Sequence, residues 1–186
     1  MLAAGLALTT CGSTAGHDRA ATPANRSVGP STTSSGTPSA APKPGECRTS
    51  SLKWTLVLLD TKSSSRPNAR LTAVNNNPGT CVFAGYPGIE THNGKAESID
   101  GAGHGHPASV TLAQGAGATV DLHYTPRGTK GAGTWCVRQN EALVWAPHDS
   151  DRALIPVMDT HHKPIPIDAC GEYMSMAPPH YTPVRH

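Results

Sequence analysis

The chain has 186 residues, with 19 glycines, 17 prolines, 15% charged and 4% aromatic residues and a formal net charge of +2. This length allows one ordinary domain plus a tail, and the glycine and proline content works against long helices. No basic stripe interleaved with aromatics is present, which excludes an electrostatic case for nucleic acid.

Residues Leu2 to Leu8 form an apolar run of the length of a short signal core, ending in Leu8-Thr9-Thr10-Cys11-Gly12-Ser13. The segment resembles a bacterial lipobox, with Cys11 as the lipidated residue, although Thr10 stands where Gly or Ala is usual. No basic stretch precedes it, so the true start is expected upstream of Met1. The run is far too short to span a bilayer, which takes about 20 apolar residues. From Gly12 to Glu46 the chain is almost wholly Ser, Thr, Pro, Gly and Ala. With so little apolar surface to offset the entropy of ordering, residues 12–46 are expected to form a disordered tether.

The texture changes at Cys47. Leu52 to Leu59 alternates and then becomes apolar on both faces, as a strand does when it passes from half-buried to central. Arg70 to Val74 is a second strand, ended by the turn signal Asn75-Asn76-Asn77-Pro78-Gly79. Short strands are expected at Cys81 to Ala84 and Ile89 to Thr91, with loop from Glu97 to Pro107 and strand again at Val110 to Leu112. In Ala118 to Tyr124, Ala118, Val120, Leu122 and Tyr124 share one face and Thr119, Asp121 and His123 the other. Further strands are expected at Cys136-Val137, Ala142 to Trp145, Ala153 to Val157, Ile165 to Ile167 and Tyr173 to Met176, with a C-terminal tail over 179–186. Seven to nine short strands with turns between them predict a single all-β domain over 47–178, an Ig-like β-sandwich.

Five cysteines are present and none forms a Cys-x-x-Cys pair, which argues against a zinc ribbon or a redox dithiol. With Cys11 set aside, Cys47, Cys81, Cys136 and Cys170 are an even, widely spaced set, as an oxidising compartment produces. Four cysteines allow three pairings. Shared strand ends favour Cys47–Cys81 and Cys136–Cys170.

The stretch Cys81-Val82-Phe83-Ala84-Gly85-Tyr86-Pro87-Gly88 resembles a family of secreted and lipid-anchored actinobacterial proteins catalogued as a domain of unknown function, number four-two-three-two. Val110 to Gly115, Trp135-Cys136, Ala146-Pro147 and Cys170-Gly171 extend the likeness over Cys47 to Pro178. The resemblance implies an Ig-like sandwich, a signal or lipobox, and no assigned activity. The extra histidines and the segment from Asp149 to Asp168 depart from it.

Several residues carry potential chemistry. Trp135 beside Cys136 frames either a reactive thiol or, as favoured, an indole packed on a core disulfide. His104, His106, His161 and His162 with Met158, Met174 and Met176 form a His/Met set that would suit copper(I), against the plainer reading of solvated loop histidines. Ser109, Asp121 and His123 suggest a hydrolytic triad, but no Gly-x-Ser-x-Gly elbow accompanies them. Asn76 and Tyr86 sit in turns that could serve as recognition loops, though turn chemistry alone explains their Pro and Gly neighbours. The expectation is a non-enzymatic, monomeric envelope lipoprotein that binds a protein, wall polymer or small ligand. It would use no cofactor, and only a lipid anchor would reach the membrane. The alternative is an extracytoplasmic copper-handling protein.

Overall fold

The computed structural model describes residues 44–60, 67–94 and 97–183. The signal-like run, Cys11 and the tether as far as residue 43 lie outside the described residues. The described chain forms β1 (Gly45–Glu46), a 3₁₀ turn (Thr49–Ser51), β2 (Leu52–Leu58), β3 (Ala69–Asn75), β4 (Cys81–Phe83), β5 (Gly88–His92), β6 (Ser98–Gly103), β7 (Val110–Leu112), β8 (Gly117–Pro126), β9 (Cys136–Gln139), β10 (Glu141–Trp145), β11 (Ala153–Met158), β12 (Ile167–Met176) and β13 (His180–Thr182). The fold is all-β, as the turn-rich composition predicts.

Strand pairing corrects the expectation of an Ig-like sandwich. Hydrogen bonding runs β8-β3-β2-β11-β10-β5-β6-β12 and returns from β12 to β8, closing eight strands into a barrel. β13 adds to the outside of β8, β9 adds to β12, and β1-β4-β7 form a separate small sheet. Two parallel junctions, β2 with β11 and β6 with β12, sit in an otherwise antiparallel ring. Closure depends on β8 and β12, ten residues each, which are long enough to serve more than one neighbour. β12 pairs with β9 through Ile167–Cys170, with β6 through Tyr173–Met176 and with β8 at both ends. A sheet joined to itself leaves no edge along the ring.

The interior is filled by alternate residues of each strand. Leu56, Leu71, Ile89, Ile99, Leu122, Val144, Val157, Ile167 and Met174 are fully buried. Trp54 meets Phe83 at 6.3 Å between ring centroids. The core tryptophan is therefore Trp54. Trp135, expected to pack in the core, lies outside it and is 49% exposed, just before β9, with its carbonyl accepting the Gly171 N–H.

Three other expectations need correction. Residues 98–103, expected as loop, form β6. A Cβ on Gly101 would overlap Ile89 and Met176, and one on Gly103 would overlap the Tyr86 ring, so neighbouring side chains fill the space that apolar residues fill elsewhere. The strands expected at Ile165 to Ile167 and Tyr173 to Met176 are replaced by one strand over Ile167–Met176, with an irregularity after Cys170, where Gly171 takes φ +106°. Finally, Gly45–Glu46 and His180–Thr182, assigned to tether and tail, pair with β4 and β8. The Cys47–Cys81 bond and the Cys47 N–H donating to the Val82 carbonyl draw the first of these into register.

Candidate functional site

An open cleft of ≈ 540 Å³ lies where the 3₁₀ turn, the β3–β4 loop and β1 meet, lined by Glu46, Arg48, Ser50, Ser51, Asn75, Asn77, Pro78, Gly79, Thr80 and Cys81. Its wall is built from the triple asparagine. Leu71, Ala73 and Asn75 continue the inward series of β3, so Asn75 is buried although it is polar. Asn75 Nδ2 donates to the Gly79 carbonyl at 2.7 Å and to the Leu112 carbonyl at 3.0 Å, while its Oδ1 accepts the Asn77 N–H at 3.0 Å. The loop is thus closed on a side chain that makes three hydrogen bonds, both amide hydrogens and the oxygen being engaged. Asn77, Pro78 and Gly79 are left exposed along the rim.

The opposite wall rests on a buried carboxylate. Thr49 donates its N–H to Asp149 Oδ2 at 2.6 Å and accepts the Ala146 N–H at Oγ1 at 2.9 Å. Trp54 Nε1 donates to the Thr49 carbonyl at 3.2 Å, and Arg48 pairs with Asp149 at 3.5 Å. The Thr49 N–H, the Thr49 hydroxyl and, less strongly, the Asp151 N–H and Arg48 outweigh burial and lower the Asp149 pKa from 3.8 to about 2. This network ties the Ala146–Pro147 segment to the turn that carries Arg48, Ser50 and Ser51. His148, at φ 61°, places Nδ1 3.3 Å from Glu46 Oε1 on the same side.

The cleft presents hydroxyls, amides, one acid and one arginine. The Cys47–Cys81 disulfide joins its floor to β1, and the Cys136–Cys170 disulfide bridges direct neighbours on β9 and β12.

The residues singled out from sequence are dispersed. Asn76 is exposed beside the cleft, and its N–H donates to the Ser51 carbonyl at 3.0 Å. Tyr86 lies elsewhere, its ring over Gly103 and its hydroxyl donating to the His104 carbonyl at 2.8 Å. His104 and His106 are exposed in the loop after β6. His161 and His162 are exposed on the turn after β11, where Asp159 accepts the N–H groups of His161 and Lys163 at 2.8 Å each. Met158 is half-buried at the end of β11, Met174 is fully enclosed and Met176 packs into the core. Among the described residues no three His, Cys, Asp or Glu side chains converge as a metal cluster would require. Asp121 is bonded to Arg70 at 2.7 Å, and Ser109 is exposed before β7.

Sequence reasoning placed Asn75 in a turn without its buried role, and missed Thr49 and Asp149. The parity of β3 was a usable signal for Asn75. The other two meet across one hundred residues, and nothing local marks them.

No curated protein and no solved structure matches the chain. One family model covers residues 47–171, well over half of the chain and nearly the whole barrel, and on that match the chain belongs to the family described as Domain of unknown function (DUF4232).

Proposed function

We propose that this protein is a non-enzymatic, extracytoplasmic binding module, tethered to the outer face of the membrane through lipid on Cys11, that holds its ligand in the cleft between the Asn75–Gly79 loop and the Thr49–Ser51 turn. The cleft itself carries the reading: it is open, lined mostly by polar residues, and braced on both sides by hydrogen-bonded buried groups. Such pre-organisation lowers the ordering cost of binding. Two disulfides fit a chain that matures in an oxidising compartment. The ligand class is a protein, a wall polymer or a small polar molecule.

The test is site-specific photo-cross-linking in intact cells of the native host. A photoreactive residue at Asn77, on the cleft rim, captures a discrete adduct, whereas one at Lys163, on the exposed turn after β11, does not. Equal adducts from both positions, or none from Asn77, would refute the cleft. Cys11→Ala is expected to release the protein into the medium; retention on the membrane would refute the anchor.

A further inference from the structure

Just past the last strand pair of β5 and β6, the chain carries its single Asn-Gly step, Asn93-Gly94. The pairing of these strands ends at His92–Ser98, and the Asn93 N–H still donates to the Glu97 carbonyl at 2.9 Å, so the hairpin is held up to the step itself. His92, Asn93 and Gly94 are all exposed. The Asn93 side-chain amide makes no hydrogen bond among the described residues. Gly94 takes φ +67°, and its N–H donates to His92 Nδ1 at 3.3 Å.

That hydrogen bond sets a base on the one backbone nitrogen poised to attack the Asn93 side chain. The Gly94 nitrogen and Asn93 Cγ are linked through the carbonyl carbon, Cα and Cβ of Asn93, so a bond between them closes a five-membered ring. Glycine at the second position leaves no side chain in the way. A histidine Nδ1 accepts a hydrogen bond only when it carries no proton, which places the ring's proton on Nε2. The exposed Asn76 has no such arrangement, because the N–H that follows it, on Asn77, donates to the amide oxygen of Asn75 at 3.0 Å.

From this geometry we propose that Asn93 is a site of self-modification, with His92 as the general base that converts its amide to a carboxylate. His92 Nδ1 takes the proton from the Gly94 nitrogen as that nitrogen attacks Asn93 Cγ. A C–N bond forms, the C–N bond to the side-chain amide breaks, and the amide group leaves as ammonia with the proton that His92 returns. Water then opens the cyclic imide at either carbonyl, giving aspartate or isoaspartate, and nothing is oxidised or reduced. The base is hydrogen-bonded to the proton it abstracts, as general-base catalysis requires. Water has access through a cavity of ≈ 190 Å³ lined by His92, Gly94, Gln139, Glu141, Leu143 and Leu154. The product adds one negative charge next to His92. Because the reaction needs only water, the modified fraction rises with the age of the folded chain.

The full chain, purified and held at neutral pH, is followed by peptide mapping and by an isoaspartyl methyl-acceptance assay. The peptide holding Asn93 accumulates aspartyl and isoaspartyl forms, while Asn76 and Asn140 remain amides. The reaction runs about tenfold faster in the folded chain than in the same chain in urea, where the imidazole is no longer held on the nitrogen; a fully aligned base adds about 10²-fold or more. His92→Asn, shown to be folded by circular dichroism, offers Oδ1 in place of Nδ1 and so keeps the hydrogen bond without the basicity. It slows to the rate in urea. An Asn93 that stays amide, a reaction faster in urea than in the fold, or a wild-type rate in His92→Asn would each overturn the proposal. None of these outcomes bears on cross-linking at Asn77.

Discussion

The Thr49 N–H reaches Asp149 Oδ2 at 2.6 Å across one hundred residues of chain, and it is the largest cause of that carboxylate's lowered pKa. A group whose folded pKa lies below its ordinary value stabilises the fold when ionised in both states. The Asp149 contribution is therefore complete above its ordinary value of 3.8 and is lost as pH falls toward about 2. Asp149→Asn should melt below the wild type at pH 7, and the gap should close between pH 4 and pH 2. Thermal melts at several pH values check this; a gap that stays constant would show that ionisation is irrelevant. Thr49→Val removes the acceptor of the buried Ala146 N–H and should cost about 1–3 kcal/mol, the usual penalty for an orphaned buried donor.

Gly88 and Trp145 are direct cross-strand partners on β5 and β10, and a Cβ on Gly88 would overlap the indole. The ring fills the space a side chain at Gly88 would need, is capped by the Arg152 guanidinium at 4.5 Å, and that guanidinium in turn bonds Glu90 at 2.9 Å. Gly88→Ala must push the indole away and disturb the stack. The expected loss is about 1–3 kcal/mol, as for other overpacked sites. In urea titrations the midpoint should fall while the slope holds. The double variant with Trp145→Ala should lose less than the sum of the two single losses, because the overlap is then absent.

Legibility in the sequence followed the type of signal. β8 could be read because Ala118, Val120, Leu122 and Tyr124 alternate with polar residues, and its burial follows the same alternation through Tyr124, apart from Thr119. Thr119 is also buried, its hydroxyl lying 3.2 Å from that of Thr72 and 2.6 Å from that of Thr182 on the added strand β13. β6 could not be read, because its packing is supplied from outside by Ile89, Met176 and Tyr86 meeting glycines. Barrel closure was hidden for a related reason. It rests on the parallel β6–β12 junction and on an irregular β12, both of which join distant segments without a local mark. Within the cleft, three identical asparagines concealed which one turns inward, and the strand parity that distinguishes Asn75 from Asn76 depends on fixing the end of β3.

That distinction is itself testable. Asn75→Ala removes three hydrogen bonds at about 1 kcal/mol each, so a loss of about 2–4 kcal/mol is expected, together with loss of cross-linking from Asn77. Asn76→Ala keeps the backbone bond to Ser51 and should leave stability within about 0.5 kcal/mol of wild type, as exposed substitutions usually do. Equal effects from the two variants would mean that the loop is not closed on Asn75.

The two disulfides close spans of the same length, each with a sequence separation of 34. Chain entropy assigns each the same stabilisation, about 4 kcal/mol on the loop-closure estimate. Replacing either pair by serine should therefore lower urea stability by a similar amount, while the local consequences differ. Cys47→Ser with Cys81→Ser frees β1 and the cleft floor and should abolish capture from Asn77. Cys136→Ser with Cys170→Ser loosens β9 against β12 beside the irregular segment and should spare capture at Asn77. If both double variants abolished capture, the cleft would depend on the β9–β12 ribbon as well as on its own disulfide, and the local account of its bracing would fail.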